Sequence, residues 1–342
     1  MACRSINHSQ RCMKCIFGPV NSRRLGRSLG IDLFSGKTCN LNCIYCEVGA
    51  TASPVRQRAV YTSTQAIIEE INTFCADPRR LDDVDVLTVT AKGEPTLHRG
   101  LGEILRHIKR MTDKPVAVLT NGTTLMYQDV RQELTAADIV IPSLDSARRE
   151  SFLKIDRPAA GIDLQEVIHG LTIFSHAYQG RIWLEILLVQ NVNDSDQDIE
   201  ALVSVLRLMR LDRIQLNTVV RPPTEPFARP VNPGRLQEIA HLFHKELAIP
   251  IDLPVTPTDQ ATQVPWPVDR KTTSPLSSDE ILDEILQMLQ RRPCTAADID
   301  RTFQLGGPDK VEQLLEPFVN SGVLQKQDHT NECYYQQSST IQ

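Results

Sequence analysis

Residues 28–46 read SLGIDLFSGKTCNLNCIYC. Leu29, Ile31 and Leu33 alternate with other residues, the period of a strand, over about 28–34. Directly behind it Cys39, Cys43 and Cys46 fall within eight residues. Clustered thiolates bind zinc or iron–sulfur clusters. A structural zinc site closes with four ligands, and no fourth cysteine follows close behind Cys46. A cluster held by three cysteines leaves one iron open to an outside ligand. A strand feeding three thiols therefore describes a site built to bind something else.

The same strand opens a repeating pattern. Apolar strands are expected at 28–34, 84–90, 115–120, 138–145, 181–189 and 213–220. Amphipathic helices are expected at 64–77, 101–111, 124–133, 163–178, 198–209 and 233–247. Six strand–helix units imply an α/β fold of parallel strands with helical crossovers. Six are too few for a closed eight-fold barrel, so a partial (β/α)6 TIM-type barrel is expected. In such sheets ligands bind at the carboxyl ends of the strands. The residues that end each strand are then the candidate site.

The chain has 342 residues, 41% of them hydrophobic, enough for one large domain and a small one. Its net charge of −5 does not mark a general nucleic-acid or membrane-surface binder. No run of about 18 apolar residues is present, so no membrane span is expected. The first residues carry no apolar core of a signal peptide. Together with nine cysteines, an odd number, this points to a cytoplasmic protein whose thiols stay reduced. Residues 1–12 read as a disordered leader, 13–253 as the barrel and 254–275, rich in Pro and Thr, as a linker. Residues 276–336 hold three expected helices (277–292, 295–303, 308–322) and a hairpin (323–336), the plan of a winged-helix domain; 337–342 form a tail.

The segment at 39–46 closely resembles the CxxxCxxC signature of the radical S-adenosylmethionine (SAM) superfamily, and Tyr45 matches an aromatic common before the last cysteine. The resemblance implies that Cys39, Cys43 and Cys46 hold a [4Fe–4S] cluster. It implies that SAM chelates the fourth iron and is cleaved reductively to a 5′-deoxyadenosyl radical, which takes a hydrogen atom from substrate. Ala91-Lys92-Gly93-Glu94-Pro95-Thr96 resembles the superfamily's GGEP motif, which meets the SAM amino group, with Lys92 in place of the first glycine. Asn121, Ser143, Asp145, Glu185 and Asn217 lie in or at the ends of later strands, where relatives contact SAM. Capping and turn roles would also suit several of them. An acid inside an apolar strand, as at Glu185, needs a partner.

FGPVNSRRLGRSLGID (17–32), SLD (143–145), RPA (157–159), LVQNVND (188–194) and QLNTVVRPP (215–223) resemble the group related to the tRNA wyosine synthetases. Arg23, Arg24, Arg27 and Arg221 are candidates to bind an anionic substrate. A wyosine synthetase proper would imply a second cluster, here on Cys3, Cys12 and Cys15, with pyruvate and tRNA as substrates. Charge disfavours tRNA: residues 276–342 carry five Lys/Arg against eleven Asp/Glu, whereas a nucleic-acid-reading helix is basic. Two further readings remain, a radical activase or peptide modifier with a protein partner on the winged helix, and a cluster-based regulator that binds DNA. A low-potential ferredoxin or flavodoxin is the expected electron donor.

Overall fold

A computed structural model describes residues 13–22, 24–90, 92–254, 278–330 and 332–338. The expected leader (1–12), nearly all of the linker and most of the tail lie outside the described residues.

One eight-stranded sheet runs in chain order: β1 (Ile16–Ser22), β2 (Gly26–Asp32), β3 (Val86–Thr90), β4 (Val116–Thr120), β5 (Ile139–Pro142), β6 (Arg181–Leu188), β7 (Arg213–Thr218) and β8 (Ile251–Asp252). β1 is antiparallel to β2; every later pairing is parallel. Helices connect the parallel strands: α1 (Thr64–Cys75) and α2 (Pro78–Asp82), α3 (Leu101–Met111), α4 (Gln128–Leu134), α5 (Arg149–Ile155) and α6 (Leu164–Ala177), α7 (Asp196–Leu206), and α8 (Pro233–Leu247). This is the partial TIM-type barrel expected of six units, with two strands more. β8 is two residues long, too short to show a period. β1 is broken by a register shift between Phe17 and Val20 and holds Gly18 and Pro19 there, residues that read against a strand. The helix expected at 64–77 stops at Cys75, and Asp77 caps a separate α2 with Pro78 in its first turn.

Strand alternation sorts the core. Leu29, Ile31 and Leu33 pack outward with Ile67, Ile71 and Phe74 of α1. The barrel interior holds a smaller apolar floor of Leu25, Val86, Ala117, Ile139, Ile141 and Trp183. Burying such side chains contributes roughly 1.5–3 kcal/mol each. The helices are started by local chemistry: Ser63, Asp163, Ser195 and Asn232 each accept a backbone N–H at a helix start.

Beyond the undescribed segment come α9 (Ser278–Leu289), β9 (Cys294–Thr295), α10 (Ala296–Phe303), α11 (Pro308–Asn320), β10 (Leu324–His329) and β11 (Glu332–Gln337). The three helices and the hairpin stand where they are expected, and β9 adds a third strand in the order β10-β11-β9. This unit has its own core, and Val20 of β1 is part of it. It also reaches the loop after β7, where the Tyr334 hydroxyl donates to the Val220 carbonyl at 2.7 Å. One small unit therefore touches the β1 edge and the region near the opposite edge of the open sheet.

Candidate active site

The cysteine loop follows β2 and is laced to its surroundings by backbone bonds. Thr38 pairs with Gly93 behind β3: Thr38 N–H donates to the Lys92 carbonyl at 2.8 Å, and Glu94 N–H to the Thr38 carbonyl at 2.9 Å. A Cβ on Gly93 would sit 1.6 Å from the Thr38 oxygen, so only glycine allows this approach. On the other side Asn42 N–H bonds the Asp156 carbonyl and Ile44 N–H the Ile155 carbonyl, at 3.0 and 2.9 Å. Val55 N–H bonds the Cys39 carbonyl at 2.9 Å. These backbone bonds hold the loop's path.

Cys39, Cys43 and Cys46 are free thiols. The Cys39 sulfur accepts from Leu41 N–H at 3.4 Å and faces Asn121 Nδ2 at 3.7 Å. Cys43 donates to Asp156 Oδ1 at 3.4 Å. The Cys46 sulfur accepts from Lys37 Nζ at 2.7 Å. Burial pushes the Cys39 thiol up to about 12 and the Cys43 thiol well above its usual range. Metal binding must therefore displace protons here. Among the described residues no three His, Cys, Asp or Glu side chains converge as ligands of a single metal ion. A multi-iron cluster spaces its thiolates more widely than one ion does. A sulfur-only donor set on one braced loop, with N–H donors aimed at two of the sulfurs, fits an iron–sulfur cluster.

Glu94 is 1% exposed. Its carboxylate accepts from Thr96 N–H (3.0 Å), Thr96 Oγ1 (2.6 Å), Thr120 Oγ1 (2.7 Å) and Asn121 N–H (2.5 Å). Burial raises its pKa against these bonds. The acid thus joins the ends of β3 and β4, while Pro95 opens a short 3-10 turn behind it. Asn121 carries the connection onward, with Nδ2 donating to Asn40 Oδ1 at 2.8 Å. Ser143, just past β5, bonds back to Thr120 through its N–H at 2.9 Å.

Beneath the loop lies a buried polar chain. The Tyr45 hydroxyl donates to Asp145 Oδ2, and Asp145 Oδ1 accepts from Leu187 N–H at 2.8 Å. Asp145 lies close to Asp156, which accepts from Cys43. Burial raises the Asp145 carboxyl to about 7, and burial with the neighbouring Asp145 raises Asp156 well above the ordinary range. Sequence reading found Tyr45 and Asp145 but not that they bond one another. It missed Asp156, Asn40 and Lys37. Lys37 stood in the quoted stretch and Asp156 beside RPA, so position relative to a motif was their one available signal.

Glu185 and Asn217 face the barrel interior on β6 and β7. Arg24, from the β1–β2 turn, meets both: Nη1 bonds Glu185 Oε1 at 3.2 Å and Gln215 Oε1 at 2.6 Å, and Nη2 bonds Asn217. Asn217 also donates to Glu185. Arg27 and Arg221 do not join this group. Arg27 pairs with Asp83 outside the site. Arg221 pairs with Glu47, the residue after Cys46, at 3.0 Å. Arg23 lies outside the described residues, as do Cys3 and Cys12. Cys15 packs in the outward core, and burial pushes its thiol up to about 11.

Residues 33–203 match the family model of the radical SAM superfamily. A UPF0026 protein of Helicobacter pylori (strain ATCC 700392 / 26695) is 33% identical over 303 residues, covering 88% of this chain and 91% of that one. A protein of Brachyspira hyodysenteriae named GTPase Obg is 33% identical over 314 residues; this chain spans 44% of its length. The solved structure of TYW1 with a lysine–pyruvate adduct shares the fold at 16% identity and a TM-score of 0.52, covering 70% of this chain and 78% of that one. None of the described helices is long and apolar enough to cross a membrane. A strand-end loop of three braced thiols and a family match that spans it agree: the chain belongs to the radical SAM superfamily and, within it, to the UPF0026 proteins.

Proposed function

We propose that Cys39, Cys43 and Cys46 ligate the [4Fe–4S] cluster that this radical SAM enzyme uses, leaving the fourth iron to SAM. When bound, cluster and SAM supply a 5′-deoxyadenosyl radical by reductive cleavage, for hydrogen abstraction from a substrate still to be identified. The protein's share is positioning. The strand-like backbone at Gly93 lies beside the cysteine loop and offers the edge for the SAM amino group. The Glu94 carboxylate is filled by four internal donors, so its role is to fix Asn121 and that edge. Asn121, Ser143, Asp145, Glu185 and Asn217 stand in or just past the strands β4 to β7, on whose carboxyl-end side the rest of SAM and the substrate would lie. The observation that carries this reading is the loop itself: three free thiols at the carboxyl end of β2, held in place by backbone bonds to three other segments.

In its motifs the chain resembles the group related to the wyosine synthetases, without necessarily sharing that group's reaction. Burial of Cys15 in the outward core speaks against a second cluster on the upstream cysteines. The C-terminal unit has the order of a winged helix. The side chains of Asp309, Glu312 and Glu316 are exposed on α11, which suits packing or a protein partner better than tRNA. A ferredoxin or flavodoxin would deliver the electron, and a cytoplasmic setting would keep the thiols reduced.

Anaerobic reconstitution tests this. Wild-type chain should take up about four irons, and the Cys39/Cys43/Cys46 triple Ala variant none; with SAM and dithionite only the wild type should release 5′-deoxyadenosine. A variant that keeps its iron and its SAM cleavage would sink the assignment. About eight irons in the wild type, with half retained by the variant, would restore the two-cluster reading and make tRNA with pyruvate the first substrates to try.

A further inference from the structure

The three thiols have unlike neighbours. Cys39 faces a backbone N–H and the Asn121 amide, Cys43 a carboxyl, and Cys46 a full positive charge at 2.7 Å from Lys37 Nζ. Lys37 is half-buried and pairs with no carboxylate among the described residues, while the nearby Arg221 is neutralised by Glu47. Lys37 sits two residues before Cys39 and next to the braced Thr38, so its backbone is positioned by the same bonds that set the loop.

We propose that Lys37 is a positioning residue that holds the Cys46 sulfur and raises the cluster's reduction potential. This rests on the cluster assignment above. The physical reason is charge. A [4Fe–4S] cluster on three thiolates is anionic when oxidised, and one-electron reduction adds a further negative charge. In a site this buried the added charge is costly, because the local dielectric is low. Hydrogen bonds to cluster sulfurs and nearby net charge set the potential, and an ammonium bonded to Cys46 favours the more negative state. The electron comes from an external low-potential donor; Lys37 makes its arrival less unfavourable and transfers no proton.

The test is a redox titration of reconstituted full-length chain, followed by the EPR signal of the reduced cluster, for wild type, Lys37→Gln, Lys37→Met and Lys37→Arg, with iron counted in each. The ammonium stabilises the reduced cluster more than the oxidised one, so the two neutral variants should show a more negative midpoint, with the ratio of reduced to oxidised cluster at a fixed poise lower by severalfold. Lys37→Arg keeps the charge and should stay close to wild type. An unchanged midpoint in the neutral variants overturns the proposal, as does loss of iron from all three variants, which would mark a steric role. Loss of iron from the neutral variants alone, with Lys37→Arg loaded normally, supports a cationic requirement already at assembly. Absence of iron from the wild type would overturn the cluster assignment and this proposal together; wild-type iron with an unshifted midpoint would overturn this one alone.

Discussion

At the scale of single residues the site depends on fit more than on charge. Gly93 is the sharpest case. The space a methyl group would need is taken by the Thr38 carbonyl, one residue before Cys39. Gly93→Ala must push the cysteine loop away from β3, with an overpacking cost of about 1–3 kcal/mol or more. The expected result is a folded chain, by far-UV circular dichroism, that takes up much less iron than wild type on reconstitution. Normal iron loading in this variant would mean that the Thr38–Gly93 pairing does not set the loop. Glu94 shows the same priority of position: an acid matching a SAM-binding motif is consumed by Thr96, Thr120 and Asn121. The motif was visible in the sequence. The carboxylate's full occupation was not, because two of its partners, Thr120 and Asn121, lie at the end of a neighbouring strand and become neighbours only through sheet pairing.

Among elements, the β1–β2 turn does most to organise the barrel interior. Arg24 reaches from it to β6 and β7, more than 160 residues along the chain. Glu185 thereby finds the partner that an acid in an apolar strand requires. Arg24 was expected to be an anion-binding candidate and Glu185 and Asn217 to be SAM contacts; the folded chain bonds the three to each other. Arg24→Met should destabilise by about 1–3 kcal/mol, read from urea unfolding. Adding Glu185→Gln should recover part of the loss, since the second change removes the stranded charge. Full additivity of the two losses would show that the pair is not coupled. The strands of the parallel set were legible because buried parallel strands are continuous apolar runs. β8 was not, because two residues carry too little pattern; α5 was not expected either.

Across the whole molecule the C-terminal unit is part of the barrel's architecture. Val20, 8% exposed, belongs to that unit's core although it lies on β1. Arg291, at the end of α9, stacks on Phe17 with its guanidinium carbon 4.2 Å from the ring centre and lies 3.8 Å from Asp32 at the end of β2. On the other side Tyr334 holds the Val220 carbonyl, and Arg221 is placed near Cys294 and Asp298. Val20→Asp would bury an unpaired charge in this seam, at about 3–5 kcal/mol. Thermal unfolding should show a clearly lower midpoint than wild type. An unchanged midpoint would mean that the unit does not rely on β1.

The sequence by itself determined the parallel α/β scheme, the cysteine loop behind β2 and the family's chemistry. Each of these is local: an apolar period, a ligand spacing, a motif at a strand end. Tertiary structure alone decided which side chains meet. It put Arg24 against Glu185, Tyr45 against Asp145, Asp156 beneath Cys43, and Cys15 in the core away from the site. It also decided that the small unit packs on the barrel. Such pairings join residues tens to hundreds of positions apart. They are fixed by sheet register and helix packing, which no short window of sequence contains.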